Sequence, residues 1–357
     1  GTGPFKYESF TPSKQSVFAA NTNYWGGAPY VSRQVVNSSF ADEGARMNAL
    51  LSGAIDISPV VPPALAKANA ANGQIHLGTA HSVETFSFNC RVDVAPFNDP
   101  RVVQALKLLC DRQQMVDSVF SGYASQSNDL YGPGLPYYAD SGVLPVRRHD
   151  PEQARSLLQT AGHSDLTVTI YTSDLAAGWV DGATLYAQQA AAGGVKVKVV
   201  KVNPSVYYTT QGPAGGYLSY PIDIGDPGVG SSIPSLTSIH LTNVLSKGPY
   251  NEQHFGDAQT DKLLLDAIGE LDEGKAQDKW NAIQEVEYKR GGMIVFGAKD
   301  SVDGYATRVR GVQTTPGGPV NNYDVTKAWL SKQLVRPRAR QPAIEPGSGV
   351  SAAYSPL

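Results

Sequence analysis

Asp150-Pro151-Glu152-Gln153-Ala154-Arg155-Ser156-Leu157-Leu158-Gln159-Thr160-Ala161-Gly162, then Leu166-Thr167-Val168-Thr169-Ile170-Tyr171, then Val195-Lys196-Val197-Lys198-Val199-Val200 decide the fold class. The first stretch reads as a helix opened by Asp and Pro and stopped at Gly162. The other two are short, β-branched and period-two, so they read as strands. An Ala-rich helix over about 181–192 lies between them. Helix–strand–helix–strand in this order predicts a parallel α/β layer.

The same pattern extends toward the N-terminus. Ser82 to Cys90 alternates as a strand, with Val83, Thr85, Ser87 and Asn89 on one face. Asp99 and Pro100 open a helix whose stripe of Val102, Val103, Leu106, Leu109, Cys110 and Val116 runs to a stop at Gly122. Short strands are expected at 15–20, 31–37 and 55–61, and a helix over Glu43–Leu51. Residues 121–149 and 203–250 read as long irregular segments, followed by helices over about 257–271 and 275–290 and a strand at 293–296. Arg336 to Leu357 reads as a flexible tail.

Composition narrows the function. The chain has 357 residues, enough for about two domains. Only 17% are charged and the net charge is −3, which argues against a nucleic-acid partner. No apolar run approaches the ~20 residues of a membrane helix. Eighteen Tyr suit ligand clefts and wet surfaces. The chain opens on Gly1, without start Met or signal peptide, and is expected to be a processed product or a fragment. Cys90 and Cys110 are a disulfide candidate in an oxidising compartment, or two small buried apolar residues.

Chemistry-bearing patterns are few. Phosphate loop, His-Glu-x-x-His helix and Gly-x-Ser-x-Gly elbow are all missing, and six scattered His offer no metal spacing. Neither a cofactor nor a metal is expected. Asp223 and Asp226 flank Gly225 in a loop with Tyr217 and Tyr220. They serve either as turn residues or as carboxylates for a ligand ammonium beside a tyrosine wall. Thr172, Ser173 and Asp174 follow a strand directly, where ligands bind in open α/β sheets and where turns also form.

An ordered set of segments resembles the family 5 extracellular solute-binding proteins, the dipeptide- and oligopeptide-binding components of ABC importers. They are Gly1-Thr2-Gly3-Pro4-Phe5-Lys6, Asn21-x-Asn23-Tyr24-Trp25-Gly26-Gly27, Phe88-Asn89, Pro96-Phe97-Asn98-Asp99 with Arg101 to Leu106, and Asp150 to Gly162. Tyr250-Asn251-Glu252-Gln253-His254 and Glu287 to Gly292 resemble the actinobacterial branch. The resemblance covers roughly residues 1–330. It implies an α/β, bilobal, type II periplasmic-binding-protein-like clamp, with the first lobe truncated because family members begin well before Gly1. Lobe I would comprise 1–124 and 299–334, lobe II 125–298, and the tail 335–357. Val103 stands where the family usually has Arg.

By the same resemblance, Asp223 would hold a peptide amino group, with Tyr220 in place of the usual Trp. Asn89 would line the cleft, Tyr131 would face ligand side chains, and Tyr217, Asn251 and His254 complete the candidate set. An Arg matching a peptide carboxylate is not found. The implied role is capture of a peptide or similar polar solute outside the cytoplasmic membrane, lipid-anchored or secreted, for delivery to an ABC permease. The alternative is an enzyme or biosynthetic accessory on the same fold. It would need a pair such as Asp223 with His254 or Glu252 with His254, and no other catalytic group is expected.

Overall fold

The computed structural model describes residues 2–37, 39–40, 42–225, 235–316 and 319–331. The expected tail, and Asp226, lie outside them. In chain order the elements are β1 (Phe5–Thr11), β2 (Gln15–Ala20), β3 (Arg33–Asn37), α1 (Glu43–Leu51), β4 (Ile57–Ser58), α2 (Pro63–Asn69), β5 (Ile75–Ala80) and β6 (Thr85–Cys90). Then come α3 (Pro100–Leu108), α4 (Arg112–Ser118), β7 (Ala124–Ser125), α5 (Pro151–Thr160), β8 (Thr167–Thr172), α6 (Trp179–Ala192) and β9 (Lys196–Lys201). Next are β10 (Ile222–Gly225), α7 (Leu236–Asn243), α8 (Ala258–Ile268), α9 (Glu273–Arg290), β11 (Met293–Lys299) and β12 (Ser301–Ala306), and the short β13 (Val309–Arg310), α10 (Pro319–Tyr323) and β14 (Trp329–Leu330) close the described chain.

Local chemistry explains the helix starts. Asp99 accepts from the Arg101 amide at 2.9 Å and Asp150 from the Gln153 amide at 2.8 Å, each just before a Pro that needs no donor partner. The long helix expected from 100 onward is instead two. Asp111 accepts from the Gln114 amide at 3.0 Å and starts α4 afresh, although the apolar stripe runs on across the break.

The main sheet has six strands in the order β7-β11-β6-β10-β8-β9. β8 is parallel to β9 and β10, as the layer prediction requires, but β6 is antiparallel to both β10 and β11, so the sheet is mixed. One core covers one face: Phe86, Phe88, Ile170, Ile222, Ile224, Ile294 and Phe296 pack on Val103, Leu106, Ala183 and Tyr186 of the helices. Val103, where a charged residue was the family expectation, is buried in it. Gly182 lets α6 approach closely, since a Cβ there would sit 3.0 Å from the Phe296 ring. The elements β6, α3 and α4, expected in lobe I, share this sheet and core with those expected in lobe II.

A second sheet, β4-β12-β5, carries its own core of Met47, Leu50, Val61, Ile75, Val302 and Tyr305. Two adjacent segments connect the sheets: 81–84, between β5 and β6, and 299–300, where β11 ends and the chain passes into β12. Their backbones meet where the Lys299 amide donates to the Glu84 carbonyl at 2.9 Å, and their side chains where Lys299 pairs with Glu84 at 2.8 Å. The third sheet, β1-β2-β3, exposes Tyr7, Phe10, Val35 and Val36, with Trp25 and Tyr30 exposed on the segment between β2 and β3.

Of the two readings of the cysteines, the disulfide is not formed and the buried apolar one holds. Cys90 and Cys110 are free buried thiols in the main core, and burial pushes both up to about 12. The period-two pattern of β6 turns Cys90 to the face covered by helices, where it packs as an apolar residue.

Candidate functional site

β6 is buried on both faces. Its apolar residues occupy the face just described, so Ser87 and Asn89 project from the opposite one. The antiparallel register sets Asp223 of β10 directly beside Asn89. The Ser87 hydroxyl donates to Asn89 Oδ1 at 2.9 Å, which turns the amide so that its Nδ2 donates to Glu252 Oε2 at 2.5 Å. Tyr217 donates its hydroxyl to Glu252 Oε1 at 2.6 Å. Gly225 has no side chain to obstruct this: a Cβ there would lie 3.1 Å from both Asn89 Nδ2 and Glu252 Oε2.

The loop carrying Glu252 is tied down on both sides. Asn251 donates to the carbonyls of Leu245 and Phe255, and Gln253 donates to the Tyr131 hydroxyl at 2.8 Å. Two carboxylates thus share one buried site. Asp223 is only 2% exposed, and its Oδ1 has no hydrogen-bond partner. Burial and then the Glu252 charge push its carboxyl well above the usual range, against the hydrogen bond from Asn89. Tyr217 is likewise held protonated, by burial and by Glu252.

An aromatic cluster adjoins the carboxylates. The Tyr208 ring meets Tyr217 edge-on at 4.8 Å between centroids, and Tyr220 stacks on Tyr171 at 4.3 Å. Tyr207 inserts its hydroxyl between β8 and β10, donating to Ile224 O at 2.8 Å. Thr172 and Ser173, at the end of β8, are fully buried with hydroxyls lacking partners.

The structure therefore brings Asn89, Asp223 and Tyr217 together, and adds Glu252, which sequence reasoning weighed only as a partner for His254. The other candidates lie outside this contact set. Tyr131 touches the site at one remove, through Gln253. Tyr220 is buried in the ring cluster, and Asn251 holds its loop. Asp174 is half-exposed and paired with Lys201 at 2.6 Å. His254 binds the Leu218 carbonyl at 2.8 Å and faces Asp93 at 3.3 Å, so neither acid–histidine pair forms through these contacts. Among the described residues no group of three or more His, Cys, Asp or Glu could hold a metal ion. A groove of about 800 Å³ between α3, α5 and residues 145–150 includes none of the site residues.

A mixed sheet is thus joined by two adjacent strand connections to a second layer, with a buried polar site on one face. The chain superposes with TM-score 0.76 on the peptide-bound periplasmic binding protein DppA of Helicobacter pylori, at 20% identity, covering 93% of this chain and 63% of that one. The expected bilobal type II class is the class of this fold. The chain belongs to the bacterial extracellular solute-binding proteins of family 5, whose middle-region model matches residues 1–229. It is 30% identical over 158 residues to the probable di/tripeptide-binding protein 5 of Pseudomonas aeruginosa, covering 44% of this chain and 30% of that protein. It is 27% identical over 175 residues to the glutathione-binding protein GsiB of Salmonella paratyphi A, covering 48% and 33%. The chain spans about a third of the length of these relatives.

Proposed function

We propose that this protein captures a peptide or similar polar solute outside the cytoplasmic membrane and presents it to an ABC permease. The carrying observation is Asp223: a buried carboxylate with an unpartnered oxygen, in a polar site walled by tyrosines. A ligand ammonium satisfies that oxygen and neutralises the charge. Asn89 and Tyr217 position the acids, and Tyr208 offers an aromatic wall. The relatives named for di- and tripeptides and for glutathione support the same ligand class. No helix among the described residues is long and apolar enough to cross a membrane. Lipid anchoring or secretion, and the permease partner, belong to this reading. So does closure of two lobes about the connections at 81–84 and 299–300.

Thermal unfolding with pooled di- to pentapeptides tests it, followed by mass spectrometry of what is retained. At a hundredfold excess over Kd, a ligand of the folded state stabilises by about 2.7 kcal/mol. The expected result is an upward Tm shift, intact peptide recovered, and loss of both in Asp223→Asn. Absence of any shift defeats the peptide reading. Recovery of chemically altered peptide defeats the view that the chain only binds.

A further inference from the structure

The site holds two acids where one ammonium needs only one. The register places Asp223 beside Asn89, and Asn89 donates to Glu252, so a single amide bridges the two carboxyl groups. We propose that Asp223 and Glu252 form one acid pair, which keeps a single proton in the empty site and exchanges it for the cationic group of the ligand, an ammonium or a guanidinium. This rests on the binding role proposed above and adds Glu252 as a second ligand-facing carboxylate.

The surroundings determine the proton count. The influences on Asp223 are burial, the Glu252 charge, the Asn89 amide and its own backbone. None of them is a cation, and Asp223 enters none of the ion pairs among the described residues. Among the described residues, tyrosines surround the pair: Tyr217 and Tyr220 from the segment before β10, Tyr207 and Tyr208 from the loop after β9, and Tyr131 from the loop after β7, while His254 of the Glu252 loop faces Asp93 at 3.3 Å. All these tyrosines but Tyr208 are held neutral by burial and by these same carboxylates. From α9, Glu287 adds a further negative charge at Tyr131, and Cys90, beneath the sheet, is a neutral thiol. Two adjacent buried carboxylates in such a setting do not both ionise. Tyr217 and Asn89 both donate to Glu252, so Glu252 carries the charge and Asp223 the proton.

Binding then balances simply. The pair enters with one proton and one negative charge. The ligand brings one positive charge, the proton leaves Asp223 for bulk water, and the occupied site holds two carboxylates around the cation. Affinity therefore tightens as pH rises, by up to about tenfold per unit while the pair is protonated. A ligand lacking the cation leaves the proton in place.

Infrared difference spectroscopy on ligand-free protein reads the proton directly. At pH 7 the C=O stretch of a protonated carboxylic acid is expected in the parent protein. It should be absent in Asp223→Asn and should titrate at lower pH in Glu252→Gln, where the neighbouring charge is gone. Adding tri-alanine at pH 7 should abolish the band and release about one proton, measured by calorimetry in buffers of different ionisation enthalpy. N-acetyl-tri-alanine should do neither. A parent protein without the band at pH 7 overturns the proposal. So does tri-alanine that raises Tm yet leaves the band unchanged. Failure of the binding role itself looks different: the band is present, but no peptide of the pool shifts Tm.

Discussion

Asp129 shows what a satisfied buried acid looks like in this protein. It accepts from Arg112 and Arg147, each at 2.6 Å, and from the Val295 amide at 3.0 Å. The two guanidiniums outweigh its burial and hold its carboxyl below the usual range. Because the folded value is depressed, its stabilisation is present above about pH 4 and is lost as pH falls further. Asp129→Ala strands two buried cations and should cost about 3–5 kcal/mol in urea unfolding at pH 7. Asp223 has the opposite sign. Its folded value is raised, so the folded state binds the extra proton and stability declines as pH rises through that value. Asp223→Asn should therefore lose binding, and its ligand-free form should gain stability relative to the parent as pH rises above the ordinary carboxylate range of about 4, read as Tm against pH. A flat difference would place Asp223 in a solvated environment. On the binding role proposed above, this opposition is what a residue kept for its ligand rather than for the fold would show.

At the level of elements, β6 carries both demands at once. Its apolar face completes the main core, and its polar face begins the site. Alternation along the strand makes this visible in the sequence itself, because period two assigns Phe86, Phe88 and Cys90 to one side and Ser87 and Asn89 to the other. β10 was not legible in this way. Ile222-Asp223-Ile224-Gly225 is too short to show a period and lies within a stretch rich in Gly, Pro and Tyr, so it reads as loop. Its strand character comes from pairing with β6 and β8. α7 was hidden in the same stretch: its polar residues, Thr237, Ser238, His240 and Thr242, leave little apolar stripe to recognise. The close approach of α6 to β11 was also invisible, since nothing local explains Gly182. Gly182→Leu should drive the helix off the Phe296 ring and lower stability by about 1–3 kcal/mol, measured by urea midpoint at unchanged slope. A neutral result would show that α6 shifts freely on the sheet.

Among the described residues the two cores are separate, and two short segments connect the sheets that carry them. The Glu84–Lys299 pair braces these segments side by side. In the closure proposed above, the lobes move about this pair. Small-angle scattering should therefore show the radius of gyration falling when a bound peptide is added. Asp223→Asn should show no such change with the same peptide. A radius unchanged at saturating peptide would mean that binding occurs without closure. The expectation that the lobes divide at 124 came from the family resemblance. β6, α3 and α4 share one hydrophobic core with β8 to β10 and cannot part from them without exposing it.

What the sequence determined by itself is what nearest neighbours along the chain control. Asp-Pro caps, Ala-rich helices and alternating strands depend on residues within one or two turns, so the α/β class and most element boundaries were readable directly. The ordered family segments extended this to the overall fold. Tertiary structure alone decided the site. Asn89, Tyr217, Asp223 and Glu252 are separated by up to 163 residues in the chain and meet only through strand register and one anchored loop. Glu252 carries no local signal that separates it from a surface acid. Its burial, its two donors and its acid neighbour arise from packing, and these are what give a carboxylate its chemistry.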